Sequence, residues 1–313
     1  MKNKELWFVV INLLFPPLLI LTSHSVCADS LEIQKISDRV YAVVGELNNR
    51  TPENLGNNAT FGVVITSKGV VLIDSGGTYK GAAEIHNIIK QITNKPVVTV
   101  INTGGQDHRW MGNGYFKNLG AEIIANTKAV IDQKARTQDQ FFMLGNLVGM
   151  DTLKGTEAFY ADKTFDEQYK FVSGETQFEI YHAGQAHTPG DSFIWLPKER
   201  IMFAGDIVYT ERILGVLDHS NSKNWIKTYE AMASFKPKHL VPGHGHLTTM
   251  SQAKSDTYDY LVFLRESVED FMDNGGDMSE INKVDQSRFK YLYSYDVLAG
   301  RNAQSVYSEL EWE

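Results

Sequence analysis

The stretch Val70-Val71-Leu72-Ile73-Asp74-Ser75-Gly76-Gly77 decides how the chain is read. Four apolar residues run straight into an acid, a hydroxyl and two glycines, which is the pattern of a buried strand that stops at a sharp turn. Just upstream, Ser67-Lys68-Gly69 is a turn signal, so residues 61–66 pair with Val70–Ile73 as a hairpin. Val40–Val44 is another strand, separated from that hairpin by the polar loop 48–58. Just downstream, Ile85, Ile88, Ile89 and Ile92 recur at helical spacing. Working outward, strands are expected at residues 96–102, 121–125, 171–182, 193–196, 200–204 and 239–241. Helices are expected at 127–147 and 225–234, and the chain is mainly helical from 251 on. Strands and helices mix without a repeat or a Pro/Ser-rich linker. That predicts a single layered α/β domain over residues 29–313, with a helical C-terminal region.

The chain has 313 residues, of which 42% are apolar and 22% charged, so it can bury a core and is not a disordered or fibrous protein. A net charge of −8 argues against a nucleic-acid partner, which needs a basic face. Residues 1–28 read as a cleaved secretory signal peptide. Lys2 and Lys4 precede the apolar run 6–21, and Val26 and Ala28 stand at the two small-residue positions before the cut. A membrane anchor is the rival reading, but the run falls short of the roughly 20 residues a spanning helix needs and carries Pro16 and Pro17. Val26 before Cys27 weighs against lipid attachment. Removing residues 1–28 leaves 285, takes away two lysines and one glutamate to give −9, and removes Cys27, the sole cysteine. A thiol-free product suits a periplasmic or secreted location with no stable membrane anchor. The sequence does not fix an oligomeric state.

The chemistry-bearing residues stand at strand ends beside glycine turns: Asp74-Ser75-Gly76, Gln106-Asp107-His108, His187-Thr188-Pro189-Gly190-Asp191, Gly205-Asp206 and Pro242-Gly243-His244-Gly245-His246. A rigid scaffold can aim such side chains at one point. The recurring types are His and Asp, which suit a divalent metal of the zinc kind, and no cysteine cluster is available.

In order and spacing these segments resemble the metallo-β-lactamase fold hydrolases over most of the chain. The matching stretches are Val71-Leu72-Ile73-Asp74-Ser75-Gly76, Ala186-His187-Thr188-Pro189-Gly190-Asp191, Phe203-Ala204-Gly205-Asp206 and Val241-Pro242-Gly243-His244-Gly245. The closing Arg301-Asn302-Ala303-Gln304-Ser305-Val306-Tyr307 also looks like the C-terminal helix of one secreted subgroup. The resemblance implies an αββα sandwich, two mixed sheets flanked by helices, with a metal site at one edge. The chain departs from the family where a His-x-His-x-Asp-His motif is expected. It has Asn102-Thr103-Gly104-Gly105-Gln106-Asp107-His108-Arg109 there, and in either register the first two histidines are gone. Aligned without a gap, His108 takes the aspartate position and Arg109 that of the last histidine. With a one-residue shift, the Asp107–His108 pair survives.

What the resemblance implies is therefore a reduced site with one zinc rather than two, or none. Its ligands would come from Asp107, His108, His187, Asp206 and His244. Asp107 or His187 would take the proton from an attacking water. Asp74, Gln106 and Arg109 would orient ligands or meet an anionic small-molecule substrate, although Arg109 also competes with a cation for space. The implied reaction is metal-dependent hydrolysis of an ester, thioester, lactone or amide. The alternative is a non-catalytic binding or accessory protein of a periplasmic pathway on the same fold. The bland reading makes His182, His219, His239 and His246 ordinary surface or hydrogen-bonded histidines, and gives Trp110 and Met111 a packing role.

Overall fold

The computed structural model describes residues 31–313, so the expected signal peptide lies outside the described residues. Seven strands form one sheet in sequence order: β1 (Glu32–Lys35), β2 (Val40–Val44), β3 (Thr60–Ile65), β4 (Val70–Ile73), β5 (Val97–Asn102), β6 (Glu122–Asn126) and β7 (Lys163–Phe165). The second sheet holds β8 (Gln168–Ser173), β9 (Thr176–Tyr181), β10 (Phe193–Leu196), β11 (Ile201–Phe203) and β12 (His239–Val241), in the order β12-β11-β10-β9-β8. Both sheets are mixed. β1 to β4 are antiparallel and β4 to β7 parallel; β8 to β11 are antiparallel and β12 runs parallel to β11.

The period-two alternation of strand side chains builds the layers. In β4, Val70 and Leu72 face one way and pack with Ala82, Ile85, Ile88 and Ile89 of the helix Tyr79–Ile92. Val71 and Ile73 face the other way and meet Phe178, Ile180, Ile194, Ile201 and Phe203 of the second sheet. The register keeps the faces consistent, with Val64 opposite Val71 and Val63 opposite Leu72. The far side of the second sheet, through Trp195, Met202 and Leu240, packs on Trp225 and Met232 of the helix Ser222–Ala233. Leu261 and Leu264 of the helix Asp259–Asp273 and Val306 of the helix Tyr295–Leu310 complete that layer. The result is the αββα sandwich. Each fully buried Leu, Ile or Val contributes roughly 1.5–3 kcal/mol of burial.

One expectation needs correction, and two strands were not expected. Residues 171–182 are not one strand. Gly174, with φ of 57°, turns the chain between β8 and β9, whose residues Ser173 and Thr176 pair directly. Short strands β1 and β7 stand at the two edges of the first sheet, where half-exposed, polar sequences give little periodic signal. Trp110 and Met111 pack with Leu144 and Val148, while Phe142 and Met143 of the same stretch lie exposed.

The strands that run parallel set up the site. β4, β5, β11 and β12 end at one edge of the sandwich, where they deliver Asp74, Thr103, Asp206 and His244. Crevices at the carboxyl ends of parallel strands are where open α/β sheets place their ligands.

Candidate metal centre

Asp206 is the hub. It lies in a single 3-10 turn, Gly205–Ile207, directly after β11. Gly205 has φ of 52°, and a Cβ there would overlap the Thr103 side chain, so the turn can sit against the end of β5 only with glycine. The Asp206 carboxylate receives a ring nitrogen on each oxygen: His108 Nε2 lies 3.2 Å from Oδ2 and His244 Nε2 3.2 Å from Oδ1. The rings of His108 and His244 meet edge to face, with centroids 4.9 Å apart. His108, Asp206 and His244 are all buried and form the one group among the described residues that could hold a metal ion.

The supports of each ring are visible. His244 Nδ1 lies 2.8 Å from the Asn58 carbonyl, and Tyr209 stacks on the ring at a centroid distance of 4.5 Å. Burial holds His244 well below the ordinary histidine range, against the pull of Asp206, so the ring is neutral and its one proton sits on Nδ1. His244 Nε2 then presents a lone pair to a carboxylate oxygen. That arrangement is repulsive unless a cation stands between them. Two ligands at about 2.0–2.1 Å from a tetrahedral zinc are separated by about 3.3 Å, close to the observed spacing. The donor set therefore fits a divalent cation of the zinc kind. His108 Nδ1 lies 3.2 Å from Asp107 Oδ1 and 2.7 Å from Arg50 Nη2. Arg50 Nη2 can only donate, so Nδ1 accepts from it and the His108 proton lies on Nε2, toward Asp206 Oδ2; a metal taking Nε2 would displace that proton.

Arg109 is fully buried and spends its donors on the protein. Nε and Nη2 fork onto Asp206 at 3.0 and 2.7 Å, Nη1 reaches Asp74 at 2.8 Å, and Nη2 also donates to the Gly243 carbonyl at 2.9 Å. A Cβ at position 243 would overlap the Gly205 carbonyl and crowd Arg109 Nη2, so glycine is required there too. Burial works to raise the Asp206 pKa, but Arg109 and the two histidines outweigh it and hold the carboxyl well below its usual range. Asp74 has positive φ at the end of β4 and accepts from the Thr103 backbone (2.7 Å) and hydroxyl (2.9 Å). Burial still pushes its pKa up to about 6. The expectation that Arg109 could meet an anionic substrate does not hold, because its donors face Asp206, Asp74 and backbone carbonyls.

Of the five residues named as metal ligands, the structure brings three together. Asp107 and His108 are neighbours in the short helix Asp107–Trp110, where successive side chains point about 100° apart, so only one of them can face Asp206. Asp107 turns instead to an ion pair with Arg50, which holds its carboxyl well below the usual range although burial opposes this. His187 lies outside the three-residue group. Its Nδ1 is 3.0 Å from the Gly215 carbonyl, and burial lowers its pKa to about 3. Gln106 caps the short helix and makes no side-chain cap bond, and its Oε1 is buried without a partner. Arg50 and Arg212 are the residues that sequence reading missed. Arg50 stands in a polar loop and Arg212 in a largely apolar stretch, and nothing local marks either as reaching the centre.

In each register one of the two missing histidines would stand on a glycine, Gly104 without a gap and Gly105 with the shift, and the room for its side chain is taken. A Cβ at Gly104 would overlap Asp191 Oδ1, and one at Gly105 would overlap Asp132 Oδ2. Asp191 is buried and bonded by the Thr188 backbone N–H at 2.8 Å and by the Thr188 hydroxyl. Burial, then the nearby Asp206 charge, push its pKa up to about 8. Asp132 pairs with Arg136.

Comparison with known proteins agrees with this geometry. The family model for the metallo-beta-lactamase superfamily matches residues 55–244. The metallo-beta-lactamase type 2 of Elizabethkingia meningoseptica is 26% identical over 220 residues, covering 68% of this chain and 78% of that protein. That of Bacteroides fragilis is 21% identical over 242 residues, covering 76% and 88%. Among solved structures, a metallo-beta-lactamase from Pontibacter korlensis superposes with a TM-score of 0.59 at 24% identity, over 74% of this chain and 99% of its own. With the sandwich, the motif order and the His108–Asp206–His244 group in place, the chain belongs to the metallo-beta-lactamase superfamily.

Proposed function

We propose that the chain is a metal-dependent hydrolase, exported through its N-terminal signal to a periplasmic or extracellular location, that works with one zinc held by His108, Asp206 and His244. The observation that carries this is the pair of 3.2 Å contacts from two buried imidazoles to the two oxygens of one carboxylate. A bound divalent cation supplies a Lewis acid and a water that is acidic near neutral pH. The remaining work belongs to the chain. Arg109 keeps Asp206 ionised, the Asn58 carbonyl and Tyr209 fix the His244 ring, and Asp107 orients His108. Asp107, held ionised by Arg50, is a weak base. Proton acceptance therefore falls to His187, which is neutral above about pH 3 and keeps Nε2 free of its Gly215 contact. The substrate carries an ester, thioester, lactone or amide bond. The names of the relatives put a β-lactam among the amides to be tried.

Metal analysis of the purified mature protein tests the reading, alongside nitrocefin, a lactone and a thioester. About one zinc per chain is expected, lost in His244→Ala together with hydrolysis, since removing a ligand or its support costs roughly 10–100-fold or more in affinity. A second reading, binding without turnover, rests on Arg109, which already neutralises Asp206. Metal-free protein with no turnover on any probe would replace the first reading with the second.

A further inference from the structure

Residues 213–217 belong to no strand or helix, yet the Gly215 carbonyl in their middle lies 3.0 Å from His187 Nδ1. A carbonyl only accepts, so the proton of the neutral ring sits on Nδ1 and Nε2 keeps its lone pair. Asn302, from the helix Tyr295–Leu310, holds the loop on both sides of that carbonyl. Its Oδ1 accepts from the Val216 N–H at 2.8 Å and its Nδ2 donates to the Leu214 carbonyl at 2.8 Å. The second amide hydrogen goes to the Tyr260 hydroxyl at 2.9 Å. Tyr260 donates in turn to Gln286 Oε1 at 2.9 Å, and Gln286 Nε2 donates to the Ala299 carbonyl at 2.8 Å, back on the same helix. Asn302, Tyr260 and Gln286 are all buried, so the circuit is a rigid one. Two turns further along, Glu309 stands on the same face of the helix. It accepts from the Ser222 N–H at 2.9 Å, at the start of the helix Ser222–Ala233, whose Trp225 ring lies 5.5 Å from the His187 ring.

We propose that the helix Tyr295–Leu310 positions His187, with Asn302 fixing the Gly215 carbonyl that selects its tautomer and Glu309 fixing the helix that carries its Trp225 wall. Asn302 acts through Gly215 and is a positioning residue. An asparagine suits the task because one planar group accepts from an N–H and donates to two oxygens, whereas a leucine of similar size does neither. Were Gly215 free to turn, the ring could carry its proton on Nε2 instead, and the nitrogen that takes a proton from water would already be protonated. The run Arg301–Tyr307, conspicuous in the sequence, thus ties the C-terminal region to the loop beside the site. The purpose of the clamp rests on the reading of His187 as proton acceptor, but the clamp itself does not.

Long-range nitrogen–proton NMR of the histidine rings tests it on EDTA-treated mature protein, with His187→Gln assigning the signal. The averaged shifts of the two ring nitrogens give the tautomer ratio. In the unsubstituted protein His187 should carry its proton on Nδ1 and leave Nε2 bare near neutral pH. In Asn302→Leu the Nδ1-protonated form should fall roughly 2–10-fold against the Nε2 form, the worth of one hydrogen bond. Asn302→Ser, a gentler change whose hydroxyl still serves one of the two loop groups, should shift the ratio the same way by less. Val306→Ala removes buried apolar contact on the same helix and spares the bonds of Asn302; it should lower the urea midpoint and leave the ratio unchanged. With zinc bound, Asn302→Leu should lose about tenfold or more in kcat on the hydrolysed probe, nitrocefin, lactone or thioester, with KM and zinc content unchanged. A ratio unchanged in either Asn302 variant, or an equal shift in Val306→Ala, would overturn the proposal. A ratio that shifts with kcat unchanged, or in a protein that hydrolyses none of the probes, would strike the role of His187 or the hydrolase reading and leave the clamp standing.

Discussion

The two halves of the centre face each other across Asp206 and differ in kind. On one side, His108 and His244 stand with ring nitrogens toward its carboxylate, each held by a carbonyl or carboxylate behind it. On the other, Gly104 and Gly105 pass close over Asp191 and Asp132, and His187 stands apart. The first half keeps its ring nitrogens aimed at one carboxylate. The second has exchanged them for packed, internally bonded acids. A motif loses ligands cheaply only when neighbours fill the space, and here they have filled it.

The largest effect that could break this contrast is at Arg109. Arg109→Ala leaves Asp206 and Asp74 buried without their cation and should cost roughly 3–5 kcal/mol, read as a lower urea midpoint. A change near zero would mean that another cation balances the two acids. Next is Gly104→His combined with Gln106→His, which restores the residue types of the fuller motif. Overlap with Asp191 should cost about 1–3 kcal/mol, and metal analysis should show no second equivalent. Two zinc ions per chain would show that the closed half can reopen.

A smaller effect concerns Asp191. Its folded pKa of about 8 lies above the unfolded value, so the stability it contributes is full below about pH 4 and is lost as pH rises through 8. Urea midpoints should therefore fall between pH 5 and pH 8, and Asp191→Asn should flatten that slope. An unchanged slope in the variant would assign the titration elsewhere.

Much of the scaffold was legible because burial writes a period into the sequence. The run Val70–Ile73 with its hairpin partner, and the isoleucines of the helix Tyr79–Ile92, show their faces directly. β1 and β7 were not legible, since edge strands need no apolar alternation. Residues 171–182 hid a turn because Gly174 sits between two runs that each look like strand. In the centre, glycine turns marked Asp206 and His244. The choice between Asp107 and His108 was not legible, because the short helix Asp107–Trp110 was not expected and its phase toward Asp206 is set by packing. Arg50 and Arg212 could not be read, because Arg50 finds Asp107 57 residues away and Arg212 approaches Asn48 from 164 residues away.

Arg109 also does something unrelated to ligands. Its guanidinium reaches Asp74 at the end of the first sheet, and Asp206 and the Gly243 carbonyl at the ends of two strands of the second, across 35, 97 and 134 residues of chain. It is a rivet through the seam of the sandwich. Contacts of such long range join strands of both sheets, so this edge depends on the two sheets being in place together. Amide exchange at the ends of β4, β11 and β12 should loosen as a unit whenever that rivet is drawn.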